Sequence, residues 1–222
     1  MSASFSQEAW ARVAPVHRSI LEHPFVSGLG DGTLPAAVFE RYLRDDAHYL
    51  LEYARALALI AARMPTAEGI GVMARSAAGA VEAERELHRT LLGDAALGSG
   101  TASPACEAYT GFLLARAATA PVEVALGAVL PCFRVYAEVG AELVRRAGGV
   151  ADHPYAAWLS TYSDPAFAEA VLAVETLADE LGARSTHRAD ALAAYEQAAR
   201  HEWHFWDQSW RGWDEGLSDA SR

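Results

Sequence analysis

Leu130-Pro131-Cys132-Phe133-Arg134-Val135-Tyr136 is an apolar run whose single cysteine is followed four residues later by a tyrosine. Four residues make about one helical turn, so a helix would put Cys132 and Tyr136 on one face. Strand alternation fits poorly, because residues 121–146 read as one long apolar-periodic segment opened by a proline. A thiol is the strongest nucleophile a protein has at neutral pH without a cofactor. A free cysteine is also among the most buried residue types and commonly acts as a small hydrophobe. Spacing alone leaves both roles open for Cys132.

The same helical periodicity extends outward in both directions. Ser6 opens an amphipathic helix to about residue 21, with Trp10, Val13, His17 and Ile20 near helical spacing. His23-Pro24-Phe25 is expected to break it, and Gly28-Leu29-Gly30-Asp31-Gly32 to form a connecting turn. That glycine cluster is no dinucleotide fingerprint, since no strand precedes it. Pro35 starts a long helix to about residue 63, stopped by Met64-Pro65. Its inner face carries Tyr42, Asp46, Tyr49 and Tyr53, which places aromatics on both sides of a carboxylate along one stripe. Thr66 caps the next helix, to about residue 92, and a Gly/Ser-rich loop follows over 93–103. Pro104 opens a helix with Cys106 and Tyr109, and Pro121 the one with Cys132, ending near Gly148-Gly149. A short helix with Trp158 and Tyr162 follows Pro154. Another runs from Asp164-Pro165 to Gly182, and the last spans about 186–213. No run of alternating β-branched residues, repeat or boundary interrupts this order. The expectation is one all-α bundle of about eight or nine helices over residues 1–222.

Composition narrows the chemistry. The 222 residues are 52% hydrophobic and 21% charged, which is ordinary globular composition. No run is read as approaching the about 18 apolar residues of a membrane span, and the N-terminus lacks the basic flank and apolar block of a secretory signal. Cys106 and Cys132 are far apart with no CxxC partner, which argues against a disulfide framework or cysteine zinc site. A cytoplasmic protein without a membrane role is the economical expectation. The net charge of −11 speaks against a nucleic-acid partner, because phosphate binding needs a basic face. All 18 basic residues are arginine; the chain has no lysine. Schiff-base chemistry, a pyridoxal-phosphate lysine and a P-loop lysine are therefore excluded.

Helical bundles build their sites between facing helices, so polar residues on apolar stripes are the candidates. Asp46 is one, although a solvated position beside Arg44 or Arg55 would explain it equally well. Glu202, among Trp203, Phe205 and Trp206, would have its pKa raised by desolvation, as a proton shuttle near neutral pH requires. It could equally be a surface residue on a helix with an aromatic opposite face. Tyr109, Tyr136 and Tyr162 could be core residues with satisfied hydroxyls. A metal reading competes: Glu84 with His88, and His201 with His204, have ligand spacing. Bundle di-iron sites need about six ligands, and no Glu-x-x-His repeat on two helices supplies them. No GxSxG marks a serine hydrolase.

Taken together, several motifs carry a resemblance. His23-Pro24-Phe25, then Asp31-Gly32-Thr33-Leu34-Pro35, Phe39 and Tyr42-Leu43-Arg44-Asp45-Asp46-Ala47-His48-Tyr49-Leu50 resemble the TenA, or thiaminase II, family. Leu130-Pro131-Cys132-Phe133 with Tyr136, Tyr155 with Trp158, Thr161-Tyr162, and Glu202 with Phe205-Trp206-Asp207 follow in the family's order, so the likeness spans nearly the whole chain. It implies a heme-oxygenase-like helical bundle, a homotetramer, and cofactor-free hydrolysis of aminopyrimidines in thiamin salvage, with thiamin cleavage in some members. It also implies roles by position. Cys132 would be the nucleophile that adds to the pyrimidine ring. Asp46 would hydrogen-bond the ring nitrogen and amino group, and Glu202 would be the acid/base for the departing amine and incoming water. Tyr49, Tyr109, Tyr136 and Tyr162 would bind substrate by stacking or hydrogen bonding, with no metal required. Asp45 stands where the family usually has glutamine, so an additional carboxylate beside Asp46 is expected to alter polarity there. A metal-dependent oxidase on the same scaffold and a non-enzymatic regulator are the alternatives.

Overall fold

Prolines and small polar side chains decide where this chain turns. The computed structural model describes residues 3–91 and 101–213, without the side chains of residues 84 and 86–91. Ten helices and no strand occur among the described residues. In chain order they are α1 (Phe5–Arg12), α2 (Ala14–Leu21), α3 (Pro24–Asp31), α4 (Ala36–Ala61), α5 (Ala67–Leu91), α6 (Pro104–Thr119), α7 (Val122–Ala147), α8 (Ala156–Tyr162), α9 (Pro165–Gly182) and α10 (Arg188–Arg211). Pro35 and Pro121 occupy the N-cap positions of α4 and α7, Ser103 and Asp164 cap α6 and α9 by accepting backbone N–H bonds, and Gly148 closes α7 in the left-handed conformation.

The number of helices exceeds the expected eight or nine for two local reasons. The helix expected over 6–21 divides at Val13, because Pro15 falls within it and cannot sit in a helix interior. The expected glycine turn is wrong for residues 24–31, which form α3. Pro24 is pre-organised for a first turn, and His23 Nδ1 accepts the Phe25 N–H at 3.2 Å. Gly30 is there for packing: a Cβ on it would lie 2.6 Å from Leu143 Cδ2. Only Gly32, at φ 77°, makes the turn.

The core is built on α7, which packs along α10 and also meets α3, α4, α6, α8 and α9. Two glycines permit its closest approaches. A Cβ on Gly127 would stand 2.4 Å from the Ala191 carbonyl oxygen of α10, and one on Gly140 would stand 2.8 Å from the Tyr162 backbone of α8. Helix α4 lies between α5 and α6 and touches α7 and α10. Contrary to the sequence reading, one helix is long and apolar enough to cross a bilayer: Val122–Ala147, with a mean hydropathy of 1.4. Of that window 78% is buried inside the bundle, which makes it the core helix.

Candidate active site

Three long helices bring the chemistry together: Asp46 and Tyr49 from α4, Cys132 and Tyr136 from α7, and Glu202 from α10. Asp46 and Glu202 are each 1% exposed, so both acids lie inside the bundle. Beside them is a cavity of about 750 Å³. Asp46, Tyr49, Tyr53, Cys132, Phe133, Tyr136 and Tyr162 line one part of it. Val72, Arg75, Ser76, Gly79 and Glu82 of α5, with Asp164, Phe167 and Glu169 of α9 and its cap, line the rest. The cavity is far larger than a single pyrimidine ring and lies within the range of small-molecule sites.

Helical spacing explains the placement. Cys132 and Tyr136 share a face of α7, as Asp46, Tyr49 and Tyr53 share one of α4, and the two faces meet at the cavity. Pro131 lies inside α7 immediately before the cysteine, so the helix lacks one backbone donor beside the sulfur. Tyr53 Oη donates to the Val129 carbonyl at 2.9 Å and ties α4 to α7 at this point.

Burial pushes the Cys132 thiol well above its ordinary value. The Glu202 charge raises it further, the Tyr49 hydroxyl lowers it, the Asp46 charge raises it and the Tyr53 hydroxyl lowers it. The sulfur is therefore a neutral thiol at rest, within electrostatic reach of both acids. Among the described residues the Tyr49 hydroxyl is buried without a well-formed hydrogen bond of its own, and it acts on that sulfur. Glu202 is lifted to about 8 by burial, and a hydrogen bond from Tyr109 pulls it back down. That bond, Tyr109 Oη to Glu202 Oε1, is 2.6 Å long. A carboxyl group so poised can hold or release a proton near neutral pH.

The cavity wall thus includes five of the seven residues singled out from the sequence: Asp46, Tyr49, Cys132, Tyr136 and Tyr162. Glu202 and Tyr109 stand behind it. Tyr109 was expected to bind substrate, but it is fully buried against Glu202 and stacks on His201 at 5.2 Å. Asp45 also departs from expectation. It points to the start of α6, where it accepts the Ser103 N–H at 2.9 Å, and it does not line the cavity. Adjacent helix positions diverge by about 100°, so Asp45 and Asp46 cannot share a face. Sequence reading missed the α5 and α9 walls, because Arg75, Ser76 and Phe167 lie in ordinary amphipathic patterns that give no local signal.

Other expected features are structural. His23 Nε2 donates to Asp207 Oδ1 at 3.2 Å, and Arg211 Nε donates to the same oxygen at 2.8 Å. Two motifs at opposite ends of the sequence therefore pin α3 to α10. Of the metal reading, the Glu84 and His88 side chains lie outside the described residues, and His201 is half-buried against Tyr109 and Phe112. No group of three or more candidate ligands occurs among the described residues.

Residues 10–212 match the profile of the TENA/THI-4/PQQC family. The thiamine biosynthesis multifunctional protein ThiED of Corynebacterium efficiens is 40% identical over 95% of this chain, which spans 29% of that protein's length. The aminopyrimidine aminohydrolase of Bacillus subtilis is 32% identical, with 98% of this chain and 93% of that protein aligned. Among solved structures, a TenA homologue from P. horikoshii superposes with a TM-score of 0.86 at 26% identity, covering 95% of this chain and 100% of that one. A Shewanella denitrificans domain described as having a heme oxygenase-like fold superposes at 0.75 with 19% identity, covering 96% of this chain and 95% of that one, a likeness of fold alone.

Proposed function

Because the chain belongs to the TENA/THI-4/PQQC family and has a heme-oxygenase-like, all-α fold, we propose that it is an aminopyrimidine aminohydrolase of thiamin salvage. It replaces the amine of 4-amino-5-aminomethyl-2-methylpyrimidine by hydroxyl and uses no cofactor. Thiamin, split at the equivalent bond, is the second substrate. The observation that carries this reading is the convergence of one thiol, the buried acid Asp46 and a group of phenols on a cavity that admits a flat heterocycle, with the second buried acid, Glu202, behind its wall.

In this mechanism the ring lies against the tyrosines, which hold an aromatic plane at small entropy cost. Cys132 Sγ adds to the electron-poor ring as Glu202 takes the thiol proton. Asp46 hydrogen-bonds the ring nitrogen and its amino group and so holds the ring in position for the addition. The ring electrons then expel the amine, which leaves with the proton from Glu202 as ammonia. Water adds to the resulting exocyclic methylene carbon while Glu202 accepts its proton. The sulfur departs and recovers that proton, so the net change is amine and water to alcohol and ammonia. The raised pKa of Glu202 suits it to both transfers. The protein works as one domain, a homotetramer in the cytoplasm, with a small-molecule pyrimidine as its ligand and neither nucleic acid nor membrane as partner.

The test is to incubate metal-free protein with aminomethylpyrimidine and with thiamin and follow release of hydroxymethylpyrimidine. Cys132→Ser is expected to abolish release while retaining the helical circular-dichroism spectrum. Full activity in that variant would refute the nucleophile assignment.

A further inference from the structure

The cavity has two parts of different character. At its inner end stand Cys132, Asp46 and the phenols, and the α10 side behind them is filled: Glu202 is 1% exposed, and Tyr109 and Trp206 are fully buried. The outer part lies between α5 and α9, and both helices present small side chains to it. Ser76, Gly79 and Ala83 lie three and four residues apart on α5, and Ala166, Ala170 and Ala173 four and three apart on α9, so each set shares one helix face. A Cβ on Gly79 would have nothing within 4 Å, which makes that position open space. Phe167 joins the two parts. It lines the outer one, and its ring meets Tyr162 of the inner one edge to face at 5.4 Å.

A pyrimidine held at Cys132 and Asp46 leaves most of the cavity's volume of about 750 Å³ empty. With the α10 side closed, a group carried on the departing nitrogen has one direction open to it, toward α5 and α9. There it meets the Phe167 ring and small side chains on both walls, which suit a flat apolar substituent. We infer that the site also hydrolyses secondary amines of the pyrimidylmethyl type, with a ring-sized substituent on the nitrogen lodged between α5 and α9, and that Gly79 sets the size admitted. The step balances as it does for the primary amine. The bond between the exocyclic carbon and nitrogen breaks, its electron pair goes to nitrogen, and Glu202 supplies the proton. A free primary amine leaves in place of ammonia, and water supplies the hydroxyl. Contacts to the remote ring add binding energy that helps hold the reacting carbon in place. This inference rests on the aminopyrimidine reading of the site and widens its leaving group.

The probe is aminomethylpyrimidine carrying a benzyl group on its side-chain nitrogen, compared with aminomethylpyrimidine itself. Benzylamine and ammonia are similarly basic, so the two depart with similar ease. Release of hydroxymethylpyrimidine from each, and of benzylamine from the first, is followed by chromatography. On the unmutated protein kcat/KM for the benzyl substrate is expected within about a hundred-fold of that for the primary amine. Gly79→Leu fills the open space and should lower the ratio of the two values by at least about ten-fold. Ala170→Leu, from the facing wall, is the second variant and should do the same. A variant that merely harms the fold lowers both values and leaves their ratio where it was. A ratio that neither variant lowers therefore overturns the inference, and a gap of more than about a hundred-fold on the unmutated protein does so as well. In both cases hydrolysis of the primary amine leaves the reading of the site standing. If the unmutated protein hydrolyses neither substrate, that reading fails and the inference with it.

Discussion

Glu202 carries a cost that pH can expose. Burial lifts it from an ordinary 4.5 to about 8. Below the unfolded value both states hold the proton, and between the two values only the folded protein does. Stability therefore falls as pH rises through that window, and the full cost is present above about pH 8. Glu202→Gln removes the charge while keeping an acceptor for Tyr109. It is expected to melt at least about 3 °C above the unmutated protein at pH 9, with the gap closing toward pH 5, in calorimetric scans. The same variant should lose at least about a hundred-fold in turnover, because no proton can be relayed. Tyr109→Phe removes the bond that pulls Glu202 down, so its pKa rises further. The acid limb of the pH–rate profile, which reports ionisation of the group that takes the thiol proton, should move to higher pH by about half a unit or more. Residue types and order made Asp46, Cys132 and Glu202 legible as candidates, and helical spacing aligned Cys132 with Tyr136. The Tyr109–Glu202 hydrogen bond was not legible, because stacking on a ligand and bonding to a buried acid look alike in sequence. Only the meeting of α6 with α10 separates them.

At the scale of elements, punctuation by proline was the readable part, as the starts of α4, α6, α7 and α9 show. Helix α3 was not readable. Glycines that serve interhelical contact and glycines that serve turns have the same local sequence, and Leu143, the contact of Gly30, lies far along the chain. The glycines of α7 and α6 make this distinction testable. Gly127→Ala forces a methyl group against the Ala191 carbonyl and should destabilise the fold by about 1–3 kcal/mol in urea titrations, with α10 displaced. Gly111→Ala, on an exposed face of α6 with nothing within 4 Å of the new methyl, should instead stabilise by about 0.5–1 kcal/mol. If both substitutions act in the same direction, close helix approach is not what Gly127 provides.

For the molecule as a whole, the candidate site residues Asp46, Cys132 and Glu202 are divided among helices that begin at residues 36, 122 and 188. No contiguous segment contains the site, which is why sequence could nominate its members but not its α5 and α9 walls. The apolar character of α7 has a consequence for biosynthesis. This helix leaves the ribosome before α10, the neighbour with which it packs most extensively, has been made. A nascent chain at that stage displays part of a surface greasy enough for a bilayer, without its main native partner to take it. Chains truncated before α10 should therefore accumulate in the insoluble fraction on expression, whereas a point variant such as Cys132→Ser stays in the supernatant.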